Sequence, residues 1–495
     1  MELNFQVGVL VENREMGKTR YNMMYVMLCC GVAALGGFLF GYDSSVISGA
    51  IEPLSRHYQL TPAETGWAVS NVIIGCIIGC FIAGPMSDKI GRKTTLAITA
   101  ILFVISVAAT AYATSFTMFV IARMLGGLCI GIASVVTPTY LAEMAPSVYR
   151  GRVGALNMFC CVGAQAVVQF VNYYIAKGMS PELLDAVGWR YMMGMALVPC
   201  LFFVVLIWFI PESPRWCVMK GRDEEALKTL TRISNRDHAL SLLQTIKEGF
   251  TSNTQCNAII YNKKTFIFLI IGIGLAVSSM VTGINAIQYY GPSLLLNISD
   301  NISDAMFKSS WLAVAQFLGV ITGMAITDKL GRRKLILWGS FFAFASMLYT
   351  FFAFYHNVQG ILSIVGLFVF MYTFGASWGQ VVWTLVSEIF PNYLRSVGTS
   401  IAISAMWITI FIIAQLFPIL NKSETLITLF HGGFPLVLFA FFGMLTLLFG
   451  WRYVPETKGV PLEDIEQLVL NKFHKYASVV QGQKNKSADA TSGHS

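Results

Sequence analysis

The sequence DKIGRK at residues 88–93 returns as DKLGRR at residues 328–333, 240 positions later. Two further signatures recur in the same order: EMAP at 143–146 as EIFP at 388–391, and PESP at 211–214 as PETK at 455–458. Their offsets are 245 and 244 residues, so the three pairs share nearly one spacing. A repeat this long indicates that the chain contains two copies of one structural unit.

Each copy contains six apolar stretches long enough to cross a bilayer, for which a helix needs about 20 residues. They fall at about 23–47, 66–86, 94–113, 116–137, 154–176 and 191–210, and at about 265–290, 309–327, 335–355, 361–387, 398–418 and 432–451. The pattern predicts an all-α membrane protein whose twelve transmembrane helices form two parallel six-helix repeats. Such repeats bind a ligand between the two bundles, near the middle of the membrane, and work by rocking one bundle against the other.

The composition supports a lipid environment. Of 495 residues 55% are hydrophobic and only 12% are charged, whereas soluble domains carry about 25% charged residues. The ten cysteines show no metal-ligand spacing and the six histidines form no cluster, so we expect neither a metal nor a cofactor. No G-x-x-x-x-G-K-[ST] loop is present, which argues against an ATP-driven pump or an enzyme.

The distribution of basic residues predicts the orientation, because cytoplasmic segments of membrane proteins are rich in lysine and arginine. If both termini are cytoplasmic, the cytoplasmic segments hold 28 of the 34 lysines and arginines. The outer loops hold Arg56, Lys177, Arg190, Lys308 and Lys422. The net charge of +8 therefore reports topology in a cell membrane, and nucleic acid is not an expected partner.

This topology divides the chain into five parts. They are a cytoplasmic N-terminal segment (1–22), an N-terminal six-helix bundle (23–211), a cytoplasmic linker (212–264), a C-terminal six-helix bundle (265–455) and a cytoplasmic tail (456–495). The linker is predicted to form short helices at about 223–233 and 238–250.

The repeated signatures place charged residues at the cytoplasmic helix ends of both halves. We expect ion pairs of Asp88 with Arg92, Glu143 with Arg150 and Glu388 with Arg395, and Asp328 with Arg332 repeats the first pair. Such charge-assisted bonds could form a gate that closes when the binding site faces outward and breaks when it faces inward. The alternative is that they are fixed topology anchors.

Two ionisable residues lie inside predicted spans, Asp43 in the first and Arg123 in the fourth. A charge at membrane depth is costly and needs a partner, so we expect these two side chains to pair. Movement of the arginine toward or away from Asp43 would change how readily the carboxylate takes a proton, which is the minimum needed for proton coupling. The alternatives are a permanent structural ion pair or a solvated aspartate at the outer rim.

Polar and aromatic side chains in the middle of several spans are candidates for a small polar ligand, which needs convergent hydrogen-bonding groups and an aromatic face. The candidates are Phe40, Gln165, Ser279, Asn285, Gln288, Tyr289, Gln316, Gln380, Trp383 and Trp407. Each amide has the alternative role of an interhelical hydrogen bond, and each tryptophan that of packing or anchoring at the membrane interface.

Taken together, these signatures resemble those of the sugar porter family of the major facilitator superfamily over about residues 35–468. The resemblance rests on Gly84 with the following DKIGRK, on Arg123-x-x-Gly126-Gly127, on PESPR from residue 211 and on PETKG from residue 455. It implies uptake of a sugar by alternating access. Proton-coupled members of the family have an aspartate where Asp43 stands, and facilitative members have an asparagine.

The resemblance also implies roles for individual pocket residues. Gln165 resembles the sugar-binding glutamine of the family's fifth helix, Asn285 and Tyr289 belong to its seventh-helix motif, and Trp383 resembles its tenth-helix tryptophan. Gln316 falls where the family usually has asparagine.

The chain departs from the family at four pocket positions. Ser279 and Met280 replace two seventh-helix glutamines, Gln380 replaces a proline, and Met406 stands where an amide often precedes the tryptophan. These changes make the pocket less polar and leave the substrate open between a common sugar, a deoxy or modified sugar and a polyol.

We therefore expect a secondary active transporter that moves a sugar or polyol with protons and works as a monomer. A facilitative sugar uniporter is the nearest alternative, and a non-transporting sugar sensor is a third.

Overall fold

The computed structural model describes residues 21–251, 263–356, 358, 362–391 and 394–458. Within these residues the chain is α-helical without β-strands, and twelve helical stretches are long and apolar enough to cross a membrane. The prediction of twelve spans is therefore confirmed. The predicted N-terminal segment up to residue 20 and the tail from residue 459 lie outside the described residues.

The first five spans are continuous helices, and the sixth is built from short segments. The five helices are Met23–Tyr58, Pro62–Ile90, Arg92–Ala111, Phe116–Met144 and Arg150–Lys177, the last preceded by a 3-10 turn at Ser147–Tyr149. The sixth span comprises Pro181–Leu183, a π-helical turn at Leu184–Gly188, Trp189–Gly194, Leu197–Leu206 and a 3-10 turn at Ile207–Phe209. The first helix continues well past the predicted end at residue 47, because hydropathy detects only its apolar part.

The linker forms three short helices, Pro214–Met219, Asp223–Ile233 and Arg236–Thr251. The second and third confirm the two predicted helices, and the first was not expected. Trp216 and Cys217 of the first linker helix pack with Ala226 of the second linker helix. Leu243 of the third linker helix packs against the same apolar cluster.

The second half contains six further spans. Its helices are Lys263–Val281, Ile284–Leu295, Ile302–Leu330, Arg332–Tyr355, Leu362–Ala376, Trp378–Ile389, Arg395–Asn421, Glu424–Phe430 and Phe434–Tyr453, with a 3-10 turn at Leu296–Ile298.

Two of these spans are broken where the sequence predicted continuous helices. The seventh is interrupted at Gly283, whose φ of 92° lies in the left-handed region that favours glycine. The tenth is interrupted at Ser377, between Ala376 and Trp378. Both breaks fall next to predicted pocket residues, and a broken helix in a transporter exposes backbone groups where a substrate can bind.

Close helix packing repeats in the two halves at positions 244 residues apart. A Cβ added to Gly75 or Gly131 would overlap the backbone of the facing helix, and the same holds for Gly319 and Gly375. Small residues allow membrane helices to approach closely. At Gly375 the facing backbone is that of Gln316, so this contact positions one of the predicted pocket residues.

Contacts divide the chain into two compact units. The first contains the described residues of 1–43, 74–164 and 194–255, and the second those of 44–73, 165–193 and 256–495. The boundaries of these units differ from the boundaries of the two predicted six-helix bundles. The bundle boundaries therefore stay a prediction.

Candidate functional site

Asp43 and Arg123 form a buried ion pair within the first unit. The Arg123 Nη1 atom lies 2.7 Å from both carboxylate oxygens of Asp43, and the two residues are 2% and 4% exposed respectively. The Nε atom of Arg123 is buried without a hydrogen-bond partner. The structure thus brings together the two intramembrane charges that the sequence predicts to pair. Each neutralises the other in a site where an unpaired charge is costly.

Three predicted pocket residues meet in the second unit, and we name them the glutamine cluster: Gln165, Gln288 and Gln316. The Nε2 atom of Gln288 donates to the Oε1 atom of Gln316 at 2.9 Å and to that of Gln165 at 3.2 Å. The three side chains come from the fifth, seventh and eighth spans. A ligand with hydroxyl groups could take over these bonds, because an amide supplies both donors and acceptors.

Asn285, Ser279 and Tyr289 lie on the seventh span, beside its break. The Nδ2 atom of Asn285 donates to the Sδ atom of Met280 at 3.1 Å. Ser279 is fully buried, and its hydroxyl donates to the carbonyl oxygen of Ala276 at 2.7 Å. Tyr289 is buried.

The remaining pocket candidates differ in their surroundings. Trp383 is 38% exposed and lines a pocket together with Met406, whereas Trp407 is buried. The Nε2 atom of Gln380 is buried without a hydrogen-bond partner, so this amide donor is unused. Phe40 belongs to the first unit and is half-buried.

In the first unit, Arg92 binds two carboxylates. Its Nε and Nη2 atoms donate to the two oxygens of Glu143, each at 3.1 Å, and its Nη1 atom lies 3.0 Å from Asp88. The predicted pair of Asp88 with Arg92 is therefore present. The predicted pair of Glu143 with Arg150 is not formed in this structure, where Glu143 binds Arg92 and the Arg150 Nε atom donates to the carbonyl oxygen of Ala142.

Glu212 caps the start of the third span. Its Oε1 atom accepts hydrogen bonds from the backbone N–H groups of Arg92 at 2.9 Å, Lys93 at 3.0 Å and Ser213 at 2.9 Å. A carboxylate suits a helix N-terminus, where unpaired N–H groups point outward. Burial raises the pKa of the Glu212 carboxyl above its ordinary value, and the backbone N–H donors oppose that rise. The Ser213 hydroxyl donates to Glu143 and joins Glu212 to the Arg92 network.

The second unit contains the equivalent network. The Arg332 Nη2 atom donates to Glu388 at 3.1 Å, and the Arg332 backbone N–H donates to Glu456 at 3.0 Å. The Thr457 hydroxyl donates to Glu388 at 3.0 Å, as Ser213 does to Glu143. The side chains of Asp328 and Arg395, both predicted gate residues, lie outside the described part of the chain.

The contacts of Glu212 and Glu456 were not predicted, although both residues belong to the repeated PESP and PETK signatures. A signal was available, since each glutamate follows a proline in a repeated signature. The glycines of the DKxGR signature, Gly91 and Gly331, have φ values of 100° and 86°. A Cβ on either would overlap the glutamate that caps the next helix.

A further polar contact in the second unit had no sequence signal. The Ser70 hydroxyl donates to the Oε1 atom of Gln415 at 2.7 Å, and the Gln415 Nε2 atom donates to the carbonyl oxygen of Ala63 at 2.9 Å. These bonds join the second span to the eleventh.

Comparison with known proteins gives consistent relatives. A family model described as "Sugar (and other) transporter" matches residues 29–469. The D-xylose-proton symporter of Escherichia coli strain K12 is 33% identical over 476 residues, which covers 91% of this chain and 97% of the relative. The arabinose-proton symporter of Bacillus subtilis is 34% identical and covers 90% and 96%.

The fold agrees with a solved structure at the same level of identity. The inward-open conformation of the E. coli xylose transporter XylE matches with a TM-score of 0.80 and 32% identity, over 90% of this chain and 99% of that one. Twelve spans, the repeated charge networks and these matches lead to one conclusion: the chain is an integral membrane protein that belongs to the sugar (and other) transporter family.

Proposed function

We propose that this chain is a secondary active transporter that moves a sugar or polyol together with protons by alternating access. The observation that carries the proposal is the buried ion pair of Asp43 with Arg123. It provides a carboxylate inside a membrane span, paired with Arg123, and alternating access would separate the two. The xylose and arabinose relatives are both named as proton symporters, which also supports proton-coupled transport.

The coupling step follows from the energetics of this pair. While Arg123 holds Asp43, the carboxylate is neutralised and has no need of a proton. When a conformational change separates them, an ionised carboxylate in a buried site is costly, and binding a proton removes that cost. Asp43 then carries the proton, and the return of Arg123 favours its release.

Substrate binding is assigned to the predicted pocket residues. The glutamine cluster offers hydroxyl partners, and Trp383 offers an aromatic face to the C–H surface of a sugar ring. The other proposed contacts are Phe40, Ser279, Asn285, Tyr289, Gln380 and Trp407.

The two charge networks are assigned to gating on the cytoplasmic side, with both termini cytoplasmic as the distribution of basic residues indicates. Their equivalent geometry in the two units supports a gate in which both halves take part. Arg150, Asp328 and Arg395 complete the proposed gate. We propose that the protein functions as a monomer in the cell membrane.

The test is uptake by the purified protein in liposomes, with and without an inward proton gradient, across labelled pentoses, hexoses, deoxy sugars and polyols. We expect the wild type to accumulate a substrate above equilibrium only with the gradient. Asp43→Asn should keep substrate exchange at equal concentrations and lose accumulation, while Asp223→Asn, on the linker, should behave as wild type. Equilibration by the wild type without a gradient effect would favour the facilitative uniporter. Binding without any movement would favour the sensor.

A further inference from the structure

The pocket beside Trp383 has an apolar wall. It is lined by Trp383 with Ala276, Val382, Val386, Ile403 and Met406. Among these six side chains the tryptophan carries the one strong hydrogen-bonding group, its indole N–H, and the Met406 thioether is a weak acceptor. A hydroxyl group placed deep in this pocket would find at most one donor and no good acceptor among the lining side chains.

Two polar residues of the seventh span, which also provides Ala276, make hydrogen bonds within the protein. Ser279, one turn from Ala276, donates its hydroxyl to the Ala276 carbonyl oxygen at 2.7 Å. Asn285 directs its amide nitrogen to the Met280 thioether at 3.1 Å. A thioether is a weak acceptor, so a ring hydroxyl can compete for the Asn285 amide.

The glutamine cluster is polar, in contrast to this apolar wall. Gln165, Gln288 and Gln316 are linked by hydrogen bonds at 2.9 and 3.2 Å. Gln288 belongs to the same broken span as Asn285 and lies one helical turn from it. The second unit therefore offers amides from three spans for hydroxyl groups, and a separate wall of aliphatic and thioether groups around an indole.

We propose that the preferred substrate is a 6-deoxy hexose, whose methyl group lies against Trp383 and Met406 while its ring hydroxyls bind the glutamine cluster. This inference rests on the proposed function and specifies its substrate class. A methyl group gains from burial against these side chains. A buried hydroxyl without a partner loses roughly 5- to 150-fold in affinity. Met406 is then a specificity-determining residue.

The test uses two sugar pairs that differ only at the C6 hydroxyl: 6-deoxy-D-glucose with D-glucose, and D-fucose with D-galactose. Initial rates of proton-driven uptake into liposomes are measured over a range of concentrations of each labelled sugar. The kcat/KM values from these rates are then compared within each pair. We expect the deoxy member of at least one pair to be favoured by about 5-fold or more. Met406→Gln, which adds an amide to the wall, should reduce that ratio toward one. Met406→Leu keeps the wall apolar and should preserve it.

The outcomes separate this inference from the proposed function. Equal rates within both pairs, or a preference for the hydroxylated sugars, overturn the inference while proton-driven uptake leaves the proposed function standing. A deoxy preference that Met406→Gln does not change overturns the role of Met406. Failure of the gradient to drive any sugar or polyol counts against the proposed function itself.

Discussion

Replacement of Gly91 by alanine tests the charge network of the first unit quantitatively. The residue has φ 100° and ψ 157°, a region essentially restricted to glycine, where a side chain costs about 1–3 kcal/mol. A Cβ at this position would also overlap the carboxylate of Glu212. Displacing that carboxylate removes the cap of the third span, which is worth about 0.5–2 kcal/mol. We therefore expect Gly91→Ala to lower the free energy of unfolding by roughly 1.5–5 kcal/mol.

Gly84 provides the matched control, because it lies on the preceding helix and a Cβ there would have no neighbour within 4 Å. Alanine inside a helix is favoured over glycine by about 0.5–1 kcal/mol, so Gly84→Ala should be neutral or stabilising. The assay is unfolding of the purified protein in mixed micelles with an increasing fraction of sodium dodecyl sulfate, followed by circular dichroism. Equal unfolding free energies for the two alanine variants would refute the reasoning.

Three further predictions follow from named contacts. Arg123→Met should destabilise the protein by about 3–5 kcal/mol, since it leaves a buried carboxylate unpaired. Adding Asp43→Asn should restore most of that loss in the same unfolding assay, and an additive double variant would contradict the pairing. Gln288→Leu should raise the KM for sugar uptake about 5-fold or more, because hydrogen bonds to the sugar are lost. The control Gln244→Leu, on the linker, should leave the KM unchanged. Equal KM values for the two variants would count against the glutamine cluster. Cys217 is 1% exposed, and burial raises the pKa of its thiol to about 11. It should therefore resist labelling by maleimide at pH 7.5 until the protein is denatured, which peptide mass spectrometry measures. Rapid labelling of the native protein would disprove its burial.

Hydropathy and the repeated signatures were sufficient to predict the twelve spans and two of the three linker helices, because these elements depend on local composition. They did not predict the breaks at Gly283 and Ser377. A glycine inside an apolar run is compatible with a continuous helix, and only the packing around it selects a left-handed conformation. The extension of the first helix to Tyr58 was missed because hydropathy detects only the apolar part of a helix.

Pairing within the site was predictable where a charge had few possible partners. Asp43 and Arg123 are the two charges inside the predicted spans of the first half, so their contact followed from the cost of burying either alone. Glu143 had several arginines at the same predicted membrane face, and sequence proximity favoured Arg150. The structure selects Arg92, because the tight turn at Gly91 brings that side chain across to the fourth span.

The contacts of Glu212 and Glu456 could have been predicted from the sequence by combining two signals. A repeated glycine that ends one helix and starts the next leaves unpaired N–H groups, and a repeated glutamate elsewhere in the motif set is the natural acceptor. The contact of Gln415 with Ser70 offers no such signal, since neither residue belongs to a repeat.

Direct measurement of proton movement during sugar uptake tests the central claim most closely. The purified protein is reconstituted in weakly buffered liposomes that contain a pH-sensitive dye, and the sugar panel is added outside without an imposed gradient. We predict that a transported sugar acidifies the lumen as it enters, and that Asp43→Asn carries the same sugar without acidification. Sugar entry by the wild type with no change in lumen pH would contradict proton coupling, and acidification by Asp43→Asn would contradict the role of Asp43.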